Sequence, residues 1–547
     1  MRTILLILMT FLSFTVVAKP TLIININGYH IVEQKLTDFK ALAFENNKVI
    51  ATYQNPSVLD LSKYNVLDGN GNTLLPGLID SHGHVMAWGQ VLSQVNLLSA
   101  TSEVDAVVKV QRFSQDKELE WVVGFGWNQE HWQDKEFPSA KTLDRVFPDI
   151  PVWLTRIDGH AGWANSAAME LAGVSKATQD PEGGEILRLA NGQPSGVFVD
   201  NAMELITNQM PPQDFDYTRK MIQQGLQDLA RYGLTSVHDA GVTEMELKAY
   251  IALADDNEMP IRSYIMLDAN IASFRLLIKD GAHYHHNGKA ELSSVKILAD
   301  GALGSRGAAL LQGYHDRTDY HGEMLLSDKE LESQMYSAMM MGLQVNTHAI
   351  GDKANRKVLD AYEKLIKLTK TEHLRHRIEH AQVLDKADIP RIKQLGLIAS
   401  MQPTHATSDM HMAEDRLGEA RLEGAYAWRT LLENGTQLAF GSDFPIEHAN
   451  PFYGIHAALT RQNHKGMPHN GWRPQEALTL TQALKAFTID GAYAARQERK
   501  LGSLESGKLA DFIIIDRDIT KIAPSQVWQT QVLQTWVDGE KVYQKPD

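Results

Sequence analysis

Eight short apolar runs, each closing on polar residues, constrain this chain more than any other feature. They occupy residues 77–84, 234–239, 261–266, 294–300, 344–348, 376–380, 396–401 and 437–443. Runs of this length bounded by turn residues read as buried strands, and most are separated by enough chain for a helix. That beat predicts an α/β fold of the (β/α)8 TIM-barrel type, with its chemistry at the carboxyl ends of the strands. A doubly wound open sheet is the alternative, and no glycine-rich nucleotide fingerprint supports it.

The flanks read differently. Residues 19–76 and 499–547 alternate apolar and polar positions in short runs, with Asn46-Asn47 and Asp538-Gly539 as turns, and together predict one small β-sandwich domain built from both chain ends. The barrel then spans 77–498, with an irregular insertion after its first strand at about 100–230. Residues 1–18 carry an early arginine, an apolar run and Ala18 before Lys19, the pattern of a cleaved signal peptide. An uncleaved anchor is the alternative, but the run is shorter than the ~20 residues that span a bilayer. The expectation is an exported, periplasmic protein with no stable membrane insertion after cleavage.

A net charge of -14 and the lack of a long basic run argue against nucleic acid as a partner and favour a small-molecule substrate. A homo-oligomer is compatible with the sequence and not specified by it. With no cysteine in the chain, a metal would have to be held by His, Asp, Glu or a modified side chain.

Such side chains stand at the strand ends. His82 and His84 share one side of the first run because strand side chains alternate; alone they read equally as a hydrogen-bonded pair. His348, His380 and Asp443 end later runs, and Lys296 lies on the fourth. The histidines and Asp443 could hold one zinc. Lys296 is either an ordinary lysine paired with Asp300 or Asp443, or, after adding carbon dioxide, an anionic carbamate ligand.

The stretches 77–84, 295–306, 346–352, 377–380 and 441–445 together resemble the metal-dependent amidohydrolase superfamily, and most its YtcJ-like branch, which includes an N-substituted formamide deformylase. The resemblance implies a centre of one or two divalent ions, zinc foremost. His82, His84 and Asp443 would hold one ion, His348 and His380 the other, and carboxylated Lys296 would bridge them. It implies hydrolysis of a non-peptide C–N bond in an amide, N-substituted formamide or cyclic amide by metal-activated hydroxide, with Asp443 as catalytic proton carrier. An ester or lactone hydrolase using the same site, and a catalytically inactive periplasmic binding or regulatory protein, are the alternatives.

Substrate-binding candidates are His160 in the insertion, His238 at the end of the second run and facing the mouth, Arg306 for an anionic group, and Trp163, which with Trp127 and Trp132 would wall an apolar pocket. Each has a structural alternative: a loop histidine, an ion-paired arginine, core aromatics. The cluster His283, His285 and His286 reads as a polar loop before the fourth run.

Overall fold

The computed structural model describes residues 19–546 apart from 118, 271, 273–275 and 278–280. The signal-peptide reading therefore lies outside the described residues. Among those described, eight parallel strands make a nearly closed barrel: Leu78–Gly83, Leu234–Val242, Arg262–Asp268, Ala290–Leu298, Gln344–Ala349, Arg377–His380, Ile398–Met401 and Gln437–Phe440, here barrel strands 1 to 8. They pair in chain order through continuous ladders from strand 1 to strand 8. The expected barrel is the observed one.

The seam between strands 8 and 1 is closed another way. Past Phe440 the chain leaves ladder geometry, Asp443 N–H donates to the carbonyl of His82 at 2.8 Å, and His84 N–H donates to that of Phe444 at 2.9 Å. Lower down, the buried Asp80 carboxylate accepts from the N–H and hydroxyl of Ser442 and from the N–H of His82. Gly441 makes this approach possible, since a Cβ there would lie 2.5 Å from His82 N.

The connection from strand 1 to strand 2 contains several helices, Val85–Ser93 the first and Phe215–Arg231 the last, and a sheet of its own. Phe215–Arg231 begins at Asp214, whose side chain accepts from Tyr217 N–H, and buries Met221, Ile222, Leu226 and Leu229 along one face. It crosses Val85–Ser93 at two glycines. A Cβ on Gly89 would sit 1.9 Å from the Met221 carbonyl oxygen, and one on Gly225 2.6 Å from that of Val85. Between these helices, strands from Val95–Asn96 to Pro194–Asp200 form a separate mixed sheet.

The chain ends form two facing sheets. Thr73–Pro76, which leads directly into barrel strand 1, pairs antiparallel with Phe512–Ile515. Leu74, Phe512 and Ile514 of that sheet share a core with Ile23, Leu42 and Phe44 of the other. The guanidinium of Arg262, at the start of barrel strand 3, ties this unit to the barrel through Asp511 and Asp538. No helix among the described residues is long and apolar enough to cross a membrane.

Candidate metal centre

The imidazoles ending barrel strand 1 meet the carboxylate that follows strand 8. His82 Nδ1 donates to Glu379 Oε2 at 2.5 Å, His84 Nδ1 to the Ala240 carbonyl at 2.8 Å, and His380 Nδ1 to Gln402 Oε1 at 2.7 Å. Carboxylate and carbonyl oxygens only accept, and Gln402 directs its amide nitrogen to the Ser400 carbonyl. In each neutral ring the proton therefore sits on Nδ1, and the Nε2 lone pair is left for the centre.

Those lone pairs face more electron density. His84 Nε2 lies 3.0 Å and His82 Nε2 3.6 Å from the same oxygen, Asp443 Oδ1. With Nδ1 committed to the Ala240 carbonyl, the 3.0 Å contact is a hydrogen bond only when the His84 ring is doubly protonated, and a cation among these atoms takes that proton's place beside the neutral ring. His82, His380 and Asp443 bring ligand atoms within 4.8 Å of one another. The His348 ring lies 4.6 Å from that of His380, and its buried Nε2 has no hydrogen-bond partner among the described residues. The donor set fits a divalent metal.

Lys296 lies beneath, with Nζ 3.3 Å from His82 Nε2. Among the described residues it makes no ion pair with Asp300 or Asp443. Asp300 instead accepts from the backbone N–H groups of Ala309, Ile350 and Gly351, and His348 Nε2 is 3.5 Å from it.

Burial sets the charge states. It pushes His82 down to about 4 and His348 to about 3, and holds His380 well below the usual imidazole range. Burial opposes ionisation of Asp443, but the His84 hydrogen bond and the imidazoles of His82, His380 and His405 outweigh it and hold the carboxyl well below the carboxylate range. Neutral imidazoles beside an ionised carboxylate are the states that bind metal. His380 and Asp443 also adopt left-handed backbone conformations, φ 73° and 62°, of the kind that non-glycine residues carry at functional sites.

A family model described as "Amidohydrolase family" matches residues 65–543. The chain belongs to the amidohydrolase family. It is 34% identical over 485 residues to the "Putative amidohydrolase YtcJ" of Bacillus subtilis, an alignment covering 87% of this chain and 90% of that protein. It is 28% identical over 498 residues to the "N-substituted formamide deformylase" of Arthrobacter pascens, covering 88% and 90%. The crystal structure of an uncharacterized metal-dependent hydrolase from Pyrococcus horikoshii superposes with a TM-score of 0.74 at 26% identity, over 92% of this chain and 99% of that one. The resemblance read from the motifs is thereby confirmed, and the chain is an enzyme of the amidohydrolase family.

The other candidate residues of the amidohydrolase fall in different places. His238 neither ends its strand nor faces the mouth: strand 2 runs on to Val242, and His238 is buried inside the barrel, where its Nδ1 accepts from Arg377 Nη1 at 3.0 Å. Trp163 walls no open pocket; it is fully buried in the insertion's core, its ring centroid 6.3 Å from that of Trp127. Arg306 pairs with Asp316 at 2.8 Å. His160 is exposed in the insertion and hydrogen-bonded to Asp200 at 2.8 Å, a contact that raises its pKa. In the polar-loop cluster, His285 is held by Asn287 and Asp255.

Two residues escape the sequence reading. Glu379 precedes ligand candidate His380 on strand 6 and shares a face with Arg377; held by Arg377, it fixes His82 from behind. His405 sits on the helix Pro403–Asp409 after strand 7, with Nε2 3.6 Å from Asp443 Oδ2. A histidine close behind strand 7 was the one available signal.

Proposed function

We propose that this protein is a metal-dependent hydrolase of a non-peptide C–N bond, in an amide, N-substituted formamide or cyclic amide, acting on a small molecule after export. One observation carries the reading: three Nε2 lone pairs, each fixed by a hydrogen bond on the opposite ring nitrogen, converge around Asp443. His82, His84, His348, His380 and Asp443 would hold one or two divalent ions, zinc foremost, with Lys296 carboxylated as a bridging ligand. The placement of Lys296 Nζ 3.3 Å from His82 Nε2, among the other ligand candidates, supports that modification.

A bound ion supplies a Lewis acid for the substrate carbonyl and brings the pKa of water from 15.7 toward about 7. The protein's own contribution is then proton traffic and order. Asp443, ionised and buried among the histidines, takes the proton of the attacking water and returns it to the leaving nitrogen as the C–N bond breaks. Glu379, Ala240 and Gln402 keep the rings turned so that no Nε2 carries a competing proton.

The test is a panel of N-aryl and N-alkyl formamides, cyclic amides and matching esters, assayed with zinc- or manganese-loaded protein and its Asp443→Asn variant. The expected result is turnover of C–N substrates, reduced about 10²–10⁴-fold in the variant. Preferential ester cleavage would move the assignment to esters or lactones, and near-normal turnover by a fully loaded Asp443→Asn protein would remove Asp443 as proton carrier.

A further inference from the structure

We propose that His405 is an additional ligand of the metal centre, its Nε2 sharing a divalent cation with Asp443 Oδ2. The proposal rests on the metal-dependent reading above and extends its ligand set to barrel strand 7, which otherwise contributes none.

The two oxygens of Asp443 face different histidines. Oδ1 lies 3.6 Å from His82 Nε2, and Oδ2 lies 3.6 Å from His405 Nε2. Both separations exceed a hydrogen bond, which for N–H···O closes by about 3.2 Å. Both suit two donors on one ion, because ligand atoms at about 2.0–2.2 Å from a tetrahedral zinc stand about 3.4 Å apart. The contact on the Oδ2 side thus repeats the contact on the Oδ1 side.

The nitrogen itself lacks a partner. His405 Nε2 is closed to water and has no hydrogen-bond partner among the described residues, a condition it shares at this centre with His348 Nε2. A buried polar nitrogen left unsatisfied costs about 1–3 kcal/mol, and the rarity of such atoms calls for a missing partner.

The local chain holds the ring there. His405 N–H donates to the Gln402 carbonyl at 3.1 Å, while the Gln402 side chain accepts from His380. One turn of backbone therefore orients two histidines, and their rings lie nearly parallel, 11° apart with centroids at 6.0 Å. Asp443 keeps its proton-carrying role in this arrangement, since a carboxylate has about four lone-pair sites and sharing ions uses only some of them.

The experiment uses the full-length protein, stripped of metal and titrated with Zn²⁺ by calorimetry and with Co²⁺ by visible absorption, alongside His405→Phe and His405→Gly. The expected result is loss of one equivalent or at least tenfold weaker binding in both variants, with an altered Co²⁺ spectrum. Added imidazole restores the His405→Gly protein toward wild type. Matching melting temperatures of the metal-free proteins establish that the fold is intact. Unchanged stoichiometry and affinity in His405→Phe, with or without a loss of turnover, overturns the ligand assignment while leaving the metal-dependent reading in place. A wild-type protein that binds neither ion overturns both.

Discussion

Glu379 decides which nitrogen His82 presents to the centre. Arg377 lies between Glu379 and His238, hydrogen-bonding also to the Ser81 carbonyl and Ser400, so the carboxylate is ionised and immobile although fully buried. Burial opposes that charge, and Arg377 and His82 hold the carboxyl well below its ordinary range. Glu379→Gln should weaken metal binding about 10–100-fold, measured by competition with a chelator. It should also cost about 3–5 kcal/mol in the metal-free protein, because Arg377 loses its counter-charge in a dry site. Unchanged affinity would mean that His82 keeps its tautomer without help. At this scale the sequence is legible where a strand end coincides with a ligand candidate, as at His82, His348 and His380. It is silent on His405, which lies past the end of a short strand, and ambiguous for Trp163, because an aromatic side chain suits a core and a pocket equally.

At the scale of elements, the eight apolar runs could be read because strands buried on both faces have little choice but continuous apolar sequence. Their ends are harder: strand 2 extends beyond Asp239 through Ala240 to Val242, so His238 belongs to the interior rather than the rim. The seam between strands 8 and 1 leaves no such trace, since it depends on a carboxylate and a glycine rather than a ladder. Gly441→Ala would force a methyl group to 2.6 Å from Asp80 Oδ1 and 2.5 Å from His82 N. The expected penalty is about 1–3 kcal/mol for overpacking, read by urea unfolding, together with reduced metal content, because the same strain moves His82. Wild-type stability and full loading would show that the seam can widen without cost.

Across the whole molecule, both chain ends are needed to finish one unit, and that unit is clamped to the barrel floor by a buried charge cluster. Arg262 Nε donates to Asp511 Oδ2 at 3.0 Å, its Nη2 reaches Asp538, and Lys289 approaches Asp538 at 3.2 Å. Arg262→Met would strand buried carboxylates and should destabilise the protein by about 3–5 kcal/mol, seen as a lower urea midpoint with the metal content unchanged. A midpoint equal to wild type would show that sheet packing alone docks the terminal domain. The terminal β-rich segments could be read from alternation and turn residues, whereas this clamp could not, because its members are 249 and 276 residues apart.

The seam also changes what an ion would do for the protein. His82 belongs to the first strand, His84 directly follows it and Asp443 follows the last, so a cation held by both sides would act as a clasp across the one junction of the barrel that no ladder spans among the described residues. Binding to the closed form and not to the unfolded chain draws the folding equilibrium toward closure by RT ln(1 + [M]/Kd), about 4.1 kcal/mol when free metal exceeds Kd a thousandfold. An ion that makes the site chemically competent would by the same contacts be a fastener, and scarcity of metal would be felt by this molecule as a loss of durability as well as of rate.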